Sequence, residues 1–444
     1  MASTYLSRTS GSPTNALKFT YSFWVKLSAL ENDTFLLDFN TDGNNRSNIG
    51  FETASKQFIV YEKLSGSTHQ IVATSRVFRD PSAWYHIVAS CDKTLATASD
   101  RTKIYVNGVR ETSLSQTTYP AQNTTGIINT AVSTLIGKYS QGSLYLDGSL
   151  THVHFVDGTA YDASTFGETD STSGIWKPKT APSVTYGNNG FFLKFENSGA
   201  MGTDSSGNSN TFTVGGGTLT QNVDTPSNNF ATLNPLDVGR WTQSNTFSNG
   251  NLTVTTSDYL SANGSLAVSS GKFYWEVEYD TAGGSNVYAG AGIINYDGWD
   301  GTGGGGSGAN TYIYATSGQK VNNASGSAFG ATLSAGDIVG VALDLDNGFL
   351  YFSKNGTWQN SGDPTSGATG TGNAFSSLSG TFTAHCNDPN DAQDHDYKFN
   401  FGQGYFGTTA VASANADANG HGAMEYAVPS GFYTLNTKNL KEFG

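Results

Sequence analysis

Apolar side chains at every second position, in short runs closed by Gly, Asn or Asp, recur from one end of this chain to the other and leave little room for helices. The stretch DIVGVALDLDNGFLYFSKNGTW, residues 337–358, shows the pattern at its clearest. Val339, Val341, Leu343 and Leu345 alternate, Asp346-Asn347-Gly348 interrupts, Phe349–Phe352 resumes, and Asn355-Gly356 interrupts again. A period of two belongs to strands, and Asn-Gly pairs accept the positive φ of tight turns, so the segment predicts a hairpin followed by a second turn. That is scaffold, and function has to be sought in what the scaffold displays.

The first half repeats the theme in LKFTYSFWVKLS, FLLDFNTDG, IGFETASKQFIVYE, WYHIVASCDK, KIYVNGVRE and SLYLDGSLTHVHFVDG. The second half does so in GKFYWEVEYD, YAGAGIIN, TYIYATSGQKVNN and YKFNFGQGYFG. Residues 171–250, rich in Pro and Gly, read as connector. At 444 residues the chain exceeds one ordinary core. The expectation is an all-β protein of two antiparallel jelly-roll-like sandwiches, over 1–222 and 223–412, with a C-terminal extension over 413–444. Cys91 and Cys386 lie far apart, one expected in each sandwich, so no disulfide framework is predicted.

A net charge of −13 argues against a nucleic-acid or anionic-membrane partner, both of which need clustered Lys and Arg. No apolar run approaches the ~20 residues of a membrane helix, so no membrane insertion is expected. The start MASTYLSRTS lacks the apolar core of a secretory signal, which predicts assembly in a cytoplasm.

Over residues 15–170, FTYSFWVKL, then WYHIVAS with KIYVNGV, then LDGSLTHVHFVDGTAYDASTFGE resemble the laminin G-like or concanavalin A-like lectin pattern. FLKFEN…TDSSGNSNTF resembles an opening strand and turn of laminin G-like modules. Over residues 265–407, the order YWEV, AGAGI, GDIVGVALDLDNGFLYFSKNG and NFGQ resembles the SPRY domain, a bent β-sandwich whose members are typically binding modules without catalytic activity. DTPSNNFATLNPLD and VPSGFYTLNTKNLKEFG resemble segments that recur in virion proteins of tailed phages.

Candidate sites are few. In WEVEYD, Glu276, Glu278 and Asp280 share one strand face, as the acid and nucleophile of a retaining glycosidase would, or simply line a solvated face. His152 and His154 in THVHF are expected as an exposed pair, with Val153 and Phe155 toward the core. Oxygen-rich loops could take calcium: Asp204, Ser206 and Asn208 foremost, then Asp42, Asn44 and Asn45, and Asp388, Asp391, Asp394 and Asp396, although Asp, Asn and Gly are also ordinary turn formers. Tyr296, Trp299, Asp300, Tyr312 and Tyr314 surround a Gly-rich loop and could stack on a sugar or a protein partner, with Tyr312 and Tyr314 alternatively in the core. GGGGSG lacks the Gly-Lys-Ser/Thr ending of a phosphate loop.

The resulting expectation is a non-enzymatic phage virion protein, a fibre or tail-associated adhesin. It would bind host-surface glycan and other virion proteins, with symmetry-repeated copies giving avidity. The alternatives are a capsid decoration or fibre-attachment subunit that binds only virion proteins, and a polysaccharide-degrading glycosidase built on Glu276, Glu278 and Asp280.

Overall fold

The computed structural model describes residues 3–28, 33–237, 245–256, 259–282, 288–297, 310–389 and 395–444. It divides into two compact units, Met1–Gln221 and Asn222–Gly444. The only helices among the described residues are short, and the two α-helical ones are Ala98–Arg101 and Thr437–Phe443.

Unit 1 pairs an eight-stranded sheet with a six-stranded one. The larger runs in the order Leu114–Thr118, Ser67–Val77, Gln57–Leu64, Asn45–Phe51, Thr34–Asp42, Ser133–Ile136, Tyr5–Thr9, Thr213–Gly215. The smaller runs Phe191–Leu193, Gly148–Asp157, Lys18–Leu27, Trp84–Asp92, Thr102–Val106, Val109–Arg110. Every pairing is antiparallel. Alternation places Phe19, Tyr21, Phe23 and Val25 of one sheet against Phe39, Ile49, Phe58 and Val60 of the other in one core. Inside this core Glu62 and Lys93 form an ion pair at 2.8 Å, both wholly buried. Glu62 also accepts from Gln70 Nε2 at 2.5 Å and from the Ile128 amide at 2.9 Å. Burial pushes the Glu62 carboxyl up, but Lys93 and these donors outweigh it and hold it below its usual range.

Unit 2 repeats the architecture. One sheet runs Thr246–Ser248, Thr253–Thr255, His395–Asn400, Lys272–Ala282, Ile338–Asp344, Phe349–Lys354, Thr357–Trp358. The other runs Leu260–Val268, Phe382–Asp388, Gly290–Asn295, Thr311–Ala315, Gln319–Asn322, Ser325–Ala328. The predicted hairpin is present, with Val341 opposite Phe352 and Leu343 opposite Leu350. Gly348 and Gly356 adopt φ of +72° and +77° in its turns, which is why the sequence places glycine there. Phe273, Trp275, Val277 and Tyr279 enter the main core, while Tyr274 faces the other way into a second cluster with Tyr351, Met424 and Phe432.

The residues after 412 are built into this unit. Strand Tyr433–Thr434 pairs in parallel with Phe273 and Tyr274, and Leu435 joins the main core. Asp417, nearly buried, accepts from the Asn419 and His421 amides at 3.0 Å, from the Thr434 amide and hydroxyl at 2.9 and 2.8 Å, and from Asn439 Nδ2 at 2.7 Å. Asn436 caps the closing helix through the Asn439 amide. Cys91 and Cys386 are free and buried, one in each unit.

Candidate functional site

Strand Lys272–Ala282 carries the carboxylate ladder as predicted, but the ladder is used to hold the fold. Glu276 is wholly buried. Its Oε1 accepts from the Tyr274 hydroxyl at 3.0 Å and the Tyr426 amide at 2.8 Å, and its Oε2 from the Glu425 amide at 2.8 Å and Asn400 Nδ2 at 3.3 Å. Burial raises its pKa to about 7 against the pull of these donors. Glu278 and Asp280 both engage Lys398, at 3.0 and 2.5 Å. A glycosidase acid must reach a glycosidic oxygen, and Glu276 faces backbone amides on a closed surface. The three carboxylates therefore do not make an active site, and the solvated-face reading fails for Glu276 as well.

The histidines also depart from expectation. A register shift between Thr151 and His154, with His152 at φ +47°, breaks the alternation that would have put both on one exposed face. His154 is buried, stacked on Phe192 at 3.9 Å and bonded through Nδ1 to the Tyr186 hydroxyl at 2.8 Å. Val153 and Phe155 enter the core as expected. Nearby His86, equally buried, stacks on Trp24 and receives the Trp176 indole N–H at Nδ1. An indole nitrogen only donates, so the His86 proton sits on Nε2 and donates to Ser22 Oγ at 2.9 Å. Burial holds His86 down at about 3.

The Asp204 loop is closed by its own hydrogen bonds. Oδ1 accepts from the Phe192 and Ser206 amides, and Oδ2 from the Ser206 hydroxyl and the Asn210 amide. Asn208 turns its donors to the Gly187 and Gly190 carbonyls. With both carboxylate oxygens taken twice and Asn208 donating, these residues as arranged do not fit a calcium ion. The Asp42 loop likewise bonds Asp42 to Asn44 and Asn45. Among the described residues no group of three or more His, Cys, Asp or Glu is placed to hold a metal. Asp391 and Asp394 lie outside the described residues.

Of the aromatic set, Trp299 and Asp300 lie outside the described residues. Tyr296 is half-buried and donates its hydroxyl to Asp237. Tyr312 packs edge-on against Phe375 and Phe382, with ring centroids at 5.2 and 6.1 Å. Tyr314 is in the core, its hydroxyl on the Ala331 carbonyl. Tyr312 and Tyr314 are thus core residues of their strand, and Tyr296 keeps a separate set of neighbours.

The segments DTPSNNFATLNPLD and VPSGFYTLNTKNLKEFG, about two hundred residues apart in sequence, are paired in space. Phe230 bridges Asn436, the Ala231 amide donates to the Leu435 carbonyl at 3.0 Å, and the Thr437 amide donates to the Asn229 carbonyl at 2.9 Å. Sequence reading does not link them, since nothing local announces pairing at that distance. It also passed over an outer face of unit 1 on strands Asn45–Phe51 and Gln57–Leu64, where Arg46 and Lys63 sit directly opposite one another. Their positions in alternating runs could have flagged them, had the register been known.

These sandwiches have recognisable relatives. Residues 2–164 match the concanavalin A-like lectin/glucanases superfamily, a laminin G-type family, and residues 272–402 match the SPRY domain. Such domains are often binding modules, which fits a non-enzymatic binding role. Among solved structures, the SPRY domain of human HERC1 is similar over 38% of this chain and 96% of its own, at 16% identity and a TM-score of 0.31. The TRIM65 PSpry domain is similar over 38% and 91%, at 14% and 0.28. The native heptameric SAP-like pentraxin from Limulus polyphemus is similar over 42% and 86%, at 14% and 0.28. No curated protein matches the chain.

Proposed function

We propose that this chain is a non-enzymatic virion protein of a tailed phage, a fibre or tail-associated adhesin that binds host-surface glycan through sandwich loops, in a symmetric assembly with other virion proteins. The observation that carries the reading is the pairing of the two phage-like segments into one feature of unit 2, through Phe230–Asn436 and its flanking bonds. Segments that resemble virion proteins and fold together act as one structural element. The succession of a lectin-type and a SPRY-type domain supports a binding role. Enclosure of Glu276 removes the catalytic set that the sequence offered.

The Gly-rich segment containing Trp299 and Asp300, which follows Tyr296 in the sequence, is the proposed glycan contact. Weak loop sites repeated by symmetry supply avidity without chemistry. The test is binding of the fluorescently labelled protein to bacterial cells and to their extracted surface polysaccharide. Saturable binding that Trp299→Ala abolishes is the expected result. A folded, assembled protein that binds neither refutes the adhesin and leaves a subunit whose partners are virion proteins.

A further inference from the structure

Two further polar side chains meet the buried ion pair of unit 1. Glu62 lies directly opposite Gln70 on the larger sheet. Lys93, just past strand Trp84–Asp92, and Thr102, at the head of strand Thr102–Val106, reach them from the smaller sheet. All four are buried. One carboxylate oxygen, Glu62 Oε2, accepts from both Lys93 Nζ at 2.8 Å and Gln70 Nε2 at 2.5 Å. The other end of the Gln70 carboxamide, Oε1, accepts from the Thr102 hydroxyl at 2.8 Å. Gly126 closes the cluster: a Cβ there would fall 2.1 Å from Glu62 Oε1 and 2.5 Å from Lys93 Nζ, so glycine is what lets the chain cover it.

The cluster has the parts of an acyl transfer. An amine is the nucleophile and a carboxamide the acyl group. A carboxylate touches both the nitrogen that must lose protons and the nitrogen that must leave. Thr102 donates where negative charge develops on the carbonyl oxygen. Charge favours the reaction as well, since an ion pair held in an apolar core gains little over neutral groups. Thr102 aims its hydrogen at Oε1 and so serves as donor rather than nucleophile. Cys91, 3.6 Å from Thr102 Oγ1, is kept a thiol by burial, which raises it to about 12.

We propose that Lys93 and Gln70 condense, with Glu62 as acid–base catalyst, into an amide bond that ties the two sheets of unit 1 together covalently. Glu62 takes one proton from the Lys93 ammonium, and the freed amine attacks Gln70 Cδ. Thr102 holds the oxyanion on Oε1. Glu62 passes its proton to Nε2, the Cδ–Nε2 bond breaks, and ammonia leaves. Glu62 then takes a second proton from Nζ and keeps it, so the finished cluster carries no charge. Nothing is oxidised or reduced. The structure holds the site before this step: the ion pair belongs to the freshly made chain, and the amide accumulates as it ages. The bond is independent of what the protein binds.

The test follows the intact mass of the full chain, unfolded just before each measurement, from fresh preparation through warm incubation of the folded protein. Folded wild type loses the mass of one ammonia, and trypsin then yields residues 64–76 joined to residues 80–101 through Gln70 and Lys93. The joined peptides separate this from ammonia lost at an Asn-Gly turn, which links nothing. Chain held in urea forms no link, because only the fold brings the reacting groups together. Lys93→Arg keeps a cation for Glu62 but no amine to attack with, and forms none. Glu62→Gln slows the link at least about a hundredfold, the loss expected on removing acid–base help. Should either variant fail to fold, the wild-type peptide map still decides. Folded wild type that keeps its full mass overturns the proposal, as does a link at Thr102 instead of Lys93, or one formed equally fast in Glu62→Gln.

Discussion

Lys93→Met isolates the cost of an unpaired charge inside unit 1. Wild type buries Lys93 and Glu62 together, both with no exposed side-chain surface, at 2.8 Å. Removing the ammonium while keeping the aliphatic stem leaves Glu62 with only Gln70 Nε2 and the Ile128 amide as donors. Breaking a buried pair from one side costs about 3–5 kcal/mol, because the remaining charge is uncompensated. The sign with pH follows from what the carboxyl then prefers. In wild type its pKa is lowered, so its contribution is present above the unfolded value and is lost as pH falls. In the variant burial dominates and raises it, so the deficit is full at pH 8 and shrinks as Glu62 takes up a proton under acid conditions. Glu62→Leu combined with Lys93→Met removes both charges and recovers most of the loss. Urea unfolding, with hydrogen exchange followed on peptides spanning 58–64 and 87–93, reads the free energy of this core. A single variant within 1 kcal/mol of wild type at pH 8, or a deficit equal at pH 5 and pH 8, would refute the reasoning.

Three further outcomes are expected. Glu276→Ala strands the Glu425 and Tyr426 amides and destabilises unit 2 by about 2–5 kcal/mol at pH 5. Because the wild-type carboxyl is raised to about 7, its contribution fades as pH climbs from about 4.5 through 7, so this deficit narrows toward pH 8 in denaturant titrations. His86, held neutral at about 3, destabilises unit 1 as pH falls from about 6.5 toward that value, because the unfolded imidazole takes a proton that the folded one refuses; imidazole proton shifts in NMR spectra of the folded protein, unmoved down to pH 4, are the check. Asp38, raised to about 6 by burial, makes Asp38→Asn more stable than wild type by about 1–3 kcal/mol at pH 8 and no more stable at pH 4, by thermal melting.

The fold was legible because alternation and turn chemistry are local. Val339 to Phe352 fixes its own hairpin register through Asn347-Gly348, and the core sides of Phe19, Tyr21 and Phe23 follow from parity alone. What failed did so where a distant partner decides. Glu276 reads as one rung of an open ladder, and only the arrival of residues 425 and 426 buries it. His152 and His154 read as a same-face pair until a one-residue irregularity separates them. The Asp204 loop has the composition of a cation site, but its carboxylate is consumed by amides as distant as Phe192. Arg46 and Lys63 carry no motif at all and become a feature only through cross-strand register.

The way residues 417–443 complete unit 2 sets an order of events on the ribosome. Unit 1 has all its strands once Thr213–Gly215 is made, so it can close while the rest is still being synthesised. Unit 2 cannot: strand Lys272–Ala282 emerges early, yet Glu276 waits for backbone donors 149 and 150 residues later. Until then Tyr274 and Tyr351 lack Met424 and Phe432, and a wet, unpaired sheet face is displayed. Contacts of such separation close slowly. A premature stop anywhere in the last few dozen codons would therefore release a chain with one finished sandwich and one sticky one.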